Sequence, residues 1–83
     1  MANKKLNELI SVLMSIRNKD EMLDFLKGIL TPKELEEIPN RLVIVKMLKK
    51  GISQHKIAKH LKVGVATVTR GSKEIKKKRF RQI

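Results

Sequence analysis

The sequence contains no cysteine, tryptophan or tyrosine, and Phe25 and Phe80 are its only phenyl side chains. Without cysteine, neither a disulfide framework nor a thiolate metal site can stabilise the fold. Without aromatic platforms on which bases stack, single-stranded nucleic acid is a poor ligand, and double-stranded nucleic acid fits better. Long apolar runs are missing too. The longest, Leu42-Val43-Ile44-Val45, falls far short of the roughly 20 residues that cross a bilayer, and the amino terminus has no apolar block ending in a small-residue cleavage site. These absences make a cytoplasmic-type protein the expectation.

With 2 prolines and 4 glycines, the chain has no Pro/Gly/Ser-rich linker, and no internal repeat is present. Its 83 residues allow one domain with a small aliphatic core. A chain of this size is marginally stable alone, so oligomerisation is the remaining source of stability.

Acidic residues are scarce in one half only. Residues 1–40 hold six basic and seven acidic side chains, whereas residues 41–83 hold fourteen basic ones and a single acid, Glu74. The balanced front half has the composition of a packing or dimerising segment. The back half carries the electrostatic footprint of a phosphate-binding surface, because such an excess of one sign opposes compaction unless a polyanion relieves it.

Apolar spacing predicts helices throughout. Leu6, Leu9, Ile10, Leu13 and Ile16 form one stripe from about Lys4 to Arg17. Asp20 is expected to cap the next helix, with Met22, Leu23, Phe25, Leu26 and Ile29 on its buried face and Gly28 weakening its end. Thr31-Pro32-Lys33-Glu34 reads as a capping box with proline at the first helical position, and Leu30 and Leu35 as its hydrophobic staple. The helix that follows is expected to bury Leu35, Ile38, Leu42, Val45 and Leu48, to kink or break at Pro39 and restart from Asn40, and to end near Lys49-Lys50 before Gly51.

Beyond Gly51 the pattern changes to two short helices, about 54–61 and 65–77, joined by Lys62-Val63-Gly64. Ser53 caps the first, whose Ile57, Ala58 and Leu61 face inward, and Val68 and Ile75 anchor the second. A small residue at the crossing, an apolar turn residue and an early apolar anchor are what a helix-turn-helix requires. The start of the second helix would enter a major groove. There Val65, Ala66, Thr67, Thr69 and Arg70 are candidate base-edge contacts, with Gln54 and His55 opening the first helix and Lys73, Lys76 and Lys77 as phosphate contacts. Residues 1–30 then read as dimerisation helices, 31–78 as core helix plus helix-turn-helix, and 79–83 as a basic tail, all within one domain.

These residues also resemble the Trp repressor family. The resemblance is carried by Leu30-Thr31-Pro32, Arg41 with Ile44-Val45, Ser53-Gln54 and, above all, Ala66-Thr67-Val68-Thr69-Arg70-Gly71-Ser72, and it runs from about Leu30 to Lys76. It implies an all-α small helical bundle, an intertwined homodimer presenting two reading heads to a palindromic DNA operator, and repression of transcription. It also implies L-tryptophan as a corepressor, its indole ring held between the guanidinium groups of Arg41 and Arg70, with Thr31 and Gly71 lining the rest of the pocket. Planar guanidinium over an aromatic face explains arginine in both places. Glu74 stands where tryptophan-binding members place a small hydroxyl residue near the ligand's amino group, and His55 stands where arginine often makes a base contact.

Other classes fit less well. His55 and His60 are five residues apart, about 140° around a helix, and neither lies near a carboxylate in sequence, so the chain offers no metal pair, no triad and no enzyme signature. A ligand-independent relative that binds DNA is the main alternative. A nonspecific basic RNA binder, whose KKKRFRQI end would serve as a disordered phosphate tether, is the lesser one.

Overall fold

The structure is a computed structural model that describes residues 3–83. Five helices follow one another: α1 (Lys4–Ser15), α2 (Lys19–Ile29), α3 (Pro32–Lys49), α4 (Gln54–Leu61) and α5 (Val65–Lys76), with no strand among the described residues. The all-α expectation holds. None of these helices is long and apolar enough to cross a membrane. The chain divides into two units, one up to Leu35 and the other Glu36–Ile83.

In the first unit, Asn3 caps α1 through two backbone amides, those of Lys5 and Leu6 at 3.0 and 3.2 Å. The cap of α2 is Asn18, whose side-chain oxygen accepts from the Glu21 amide at 2.8 Å, and Asp20 lies inside the first turn. Asn18 is the better cap because it leaves Asp20 and Glu21 both available to the positive end of the helix dipole. The capping box forms as expected: the Thr31 amide donates to Glu34 Oε1 at 2.9 Å, and the Glu34 amide donates to the Thr31 hydroxyl at 3.2 Å. Neither α1 nor α2 buries a residue fully. Leu6, Ile10, Leu23 and Ile29, expected on buried faces, stay exposed, whereas Leu9, Leu13, Ile16, Met22, Phe25 and Leu26 are half-buried.

α3 continues through Pro39 without a break. A proline removes one amide donor, and the turns on either side keep their own bonds. The buried face also differs from expectation. Ile44 and Val45 are buried, while Ile38 and Leu42 are exposed. The amphipathic pattern of α3 is weak, and it is the packing of α4 and α5 against the Ile44 side that selects the buried face.

The core of the second unit is Ile44, Ile57, Ala58 and Val68, bordered by Met47, Leu48, Ile52, Leu61 and Val63. Three backbone reversals shape it. Gly51, with φ 85°, ends α3, with the Gly51 amide on the Leu48 carbonyl and the Ile52 amide on that of Met47. This pair of hydrogen bonds is the Schellman closure, and glycine takes its left-handed position without strain. Lys62 (φ 56°) ends α4 in the same left-handed region, with the Val63 amide on the Ala58 carbonyl. Lys78 (φ 68°) ends α5, with its amide on Ile75 and that of Arg79 on Glu74. Lysine does not favour this conformation, and the backbone hydrogen bonds that close the last two turns hold it there.

Candidate nucleic-acid interface and ligand cavity

The helix-turn-helix stands where the sequence puts it. Ser53 caps α4, its hydroxyl accepting from the Lys56 amide at 3.3 Å, and Val63 plugs the turn against the core. Ile57 and Val68 are fully buried at the crossing of α4 and α5, next to the small Ala58. This leaves the rest of the first turns of α5 facing outward: Val65, Ala66, Thr67 and Arg70 are exposed, as are Lys73, Lys76 and Lys77 further along. No side chain caps α5 at Gly64; the Thr67 amide donates to the Gly64 carbonyl at 3.1 Å, which leaves the Val65 and Ala66 amides to face a phosphate oxygen. His55 is exposed at the start of α4.

Thr69 and Gln54 are both half-buried and bound to each other. The Thr69 hydroxyl donates to Gln54 Oε1 at 2.7 Å, joining the two helices of the motif. The hydroxyl expected at a base edge therefore acts, in the free protein, as a latch between α4 and α5.

Thr67 and Arg70 also belong, with Gly71 and Glu74, to a stripe at three- and four-residue steps that lines one wall of a cavity of about 600 Å³. Arg41, Ile44 and Val45 of α3 form the facing wall. Four of the five residues that the resemblance assigns to a ligand, Arg41, Arg70, Gly71 and Glu74, thus share one cavity. Thr31, the fifth, belongs to the first unit, where its hydroxyl serves the capping box. A Cβ at Gly71 would lie 3.3 Å from Ile44 Cγ2 and 3.4 Å from Leu48 Cδ1, so glycine sets how closely α5 approaches α3. Arg41 Nη2 lies 4.0 Å from Glu37 Oε2, an exposed pair one helical turn apart that binds the guanidinium only weakly.

The remaining lining is a surprise of the carboxyl-terminal segment. Lys78, Arg79, Phe80, Arg81 and Gln82 border the same cavity. The segment turns back at Lys78, and Lys49 Nζ donates to the carbonyls of Phe80 and of Ile83, the latter at 2.8 Å. Phe80 is half-buried. The Glu74 carboxylate stands between two cations, with Oε2 at 3.8 Å from Lys77 Nζ and 3.9 Å from Arg79 Nε. That oxygen is buried and makes no hydrogen bond. Reading the sequence as a basic tail missed this, because no glycine announces the reversal at Lys78. The pairing of Glu74, the sole acid after Glu37, with later basic residues was the one available signal. Among the described residues, no group of three or more His, Asp or Glu side chains is placed to hold a metal ion.

A helix-turn-helix, a basic outward face and the Arg41–Arg70 cavity all lie on a chain whose residues 4–81 match the model of the Trp repressor protein family. The chain belongs to the Trp repressor family. It is 36% identical over 76 residues to a Trp operon repressor homolog of Vibrio campbellii, covering 90% of this chain and 76% of that protein. It is 40% identical over 72 residues to a Trp operon repressor homolog of Vibrio vulnificus, covering 86% and 68%. An uncharacterized protein, YerC of Bacillus subtilis, is 27% identical over 70 residues, covering 84% and 67%. No solved structure matches the chain. As a Trp repressor family member, the protein is a DNA-binding regulator of transcription, and its basic second half is the part of the chain suited to that task.

Proposed function

We propose that the protein is a repressor that binds a specific double-stranded DNA operator as a homodimer, each copy laying the start of α5 in a major groove. The observation that carries the reading is the division of α5 into a buried anchor, Val68, and an exposed leading turn, Val65, Ala66 and Thr67, bordered by Arg70 and Lys73. The small leading residues let the backbone approach base edges, and Lys73, Lys76 and Lys77 reach phosphates. Gln54 and His55 lie at the start of α4, the helix that crosses the backbone in such a complex. Two reading heads related by a two-fold axis would call for a palindromic operator with half-sites about one helical turn apart. The protein would work in the cytoplasm, at the nucleoid.

Exposed Leu6, Ile10, Leu23 and Ile29 support the homodimer, since a second copy would remove this apolar surface from water. Arg41 and Arg70 on one cavity support gating by an indole-bearing ligand, with L-tryptophan the first compound to test. A ligand-independent form of the same reading is favoured by one contact: the Thr69–Gln54 bond, with Ile57 and Val68 beneath it, already fixes α4 against α5.

Selection from a random duplex library, with and without L-tryptophan, tests the reading. Enrichment of a palindrome supports it, and recovery of sequences without a common motif would refute sequence-specific binding. Equal operator affinity with and without every indole ligand tried would leave the ligand-independent form.

A further inference from the structure

Lys49, the last residue of α3, reaches the carboxyl-terminal segment twice: its Nζ donates to the carbonyl of Phe80 and, at 2.8 Å, to that of Ile83. The same segment is attached to α5 at Glu74, whose carbonyl accepts from the Arg79 amide at 3.1 Å and whose Oε2 lies 3.9 Å from Arg79 Nε. Residues 79–83 thus tie the end of α3 to the last turns of α5. Between the two attachments Phe80, half-buried, lines the cavity together with Arg41 of α3 and Arg70 of α5. A small molecule seated there would do the same task, since it too would touch both helices.

The segment does not take this course by local preference. Lys78 (φ 68°) and Phe80 (φ 59°) both stand in the left-handed region, which a bulky side chain rarely enters. Arg81 Nε donates to the Lys78 carbonyl at 3.2 Å and the Ile83 amide to that of Phe80 at 3.3 Å, but these bonds lie within the segment and do not choose where it docks. Lys49 and Glu74 choose it. Glu74 Oε2 is buried without a hydrogen bond, so the charges of Arg79 and Lys77 are what offset its removal from water. Each contact is weak alone, and attachment to one chain gives them a high effective concentration.

We propose that residues 78–83 are a built-in effector: by bridging Lys49 and Glu74 they hold α5 against α3 and keep the reading head set for DNA with no small molecule bound. The proposal rests on the operator-binding reading above and deepens its ligand-independent form. Without the bridge α5 samples other tilts, and apparent operator affinity falls with the fraction of molecules that keep the competent one.

Two variants cut the bridge in different places. Phe80→Ala removes the ring without altering charge, and Lys49→Met removes the ammonium that holds the two carbonyls, with Lys49→Arg as the conservative control. Amide hydrogen exchange of the DNA-free full chain, read by mass spectrometry, should show residues 71–83 exchanging faster in Phe80→Ala and Lys49→Met than in the parent and in Lys49→Arg, with α4 unchanged. On the operator recovered by duplex selection, with no ligand added, the two variants should bind roughly fivefold or more weakly, while Phe80→Ala binds scrambled duplexes as the parent does. Far-ultraviolet circular dichroism should show both as helical as the parent. Equal exchange over residues 71–83 in the parent and both variants would overturn the proposal, as would parent-like operator affinity in both. Recovery of no operator would instead refute sequence-specific binding, and the exchange measurement, which uses no DNA, would still decide whether the bridge holds α5.

Discussion

Thr67 and Lys73 lie within two turns of each other on α5 and are exposed, yet the proposed function gives them different tasks on DNA. A threonine hydroxyl or methyl at a base edge discriminates sequence, while a lysine at a phosphate adds the same affinity to every sequence. Thr67→Ala should relax preference at one base pair by about 1–3 kcal/mol. Lys73→Ala should weaken all duplexes alike and reduce the salt slope by about one. Binding isotherms on operator and scrambled duplexes at several salt concentrations separate the two. Thr69 differs from both, since its hydroxyl is spent on Gln54. Thr69→Val should therefore lower stability by about 1 kcal/mol in urea denaturation, through the loss of an interhelix bond and the unpaired oxygen left on Gln54.

At the scale of the element, chain reversal governs the architecture. Lys62 adopts a left-handed conformation that glycine enters freely, so Lys62→Gly should stabilise the protein by about 0.5–1 kcal/mol, read as a shift in the urea midpoint with no change in its slope. Gly71→Val should do the reverse and cost about 1–3 kcal/mol, because a side chain there meets Ile44 and Leu48. The elements themselves were largely legible in the sequence where local chemistry decides them. Thr31 to Glu34, Ser53 and the Val65 start of α5 all announce themselves through caps and turn residues, and α4 matches its expected bounds. Asn18 was hidden because Asp20 is an equally good cap type two residues later. Ile44 was hidden because Ile38, Leu42 and Val45 offer an alternative apolar face, and only the packing of distant α4 and α5 chooses between them. The walls of the cavity contributed by α3 and α5 were legible through Arg41 and Arg70. The tail wall was not, since the turn at Lys78 carries a residue that disfavours it.

For the whole molecule, uneven charge and uncovered apolar surface act together. The first unit leaves Leu6 and Ile10 about half exposed, at 51% and 45%, on one side of an amphipathic helix. Ile10→Glu places a charge on that surface and should shift the protein toward monomer in sedimentation equilibrium. If the proposed dimer engages two half-sites, the same variant should lose operator affinity more steeply than Lys73→Ala does. The strongly basic second half brings a steep salt dependence to any DNA complex, so these comparisons need one fixed ionic strength.

The contact at Gly71 gives α5 a fulcrum. From Gly71 to the leading residue Val65 the helix extends roughly 9 Å at its ordinary rise, so a tilt of about 6° about that point swings the leading turn by about 1 Å. Recognition at base edges tolerates roughly half of that displacement. The glycine seat against Ile44 and Leu48 also borders the cavity, so under the proposed function a ligand there would act on α5 beside this pivot, and the leading turn would carry the displacement to the DNA.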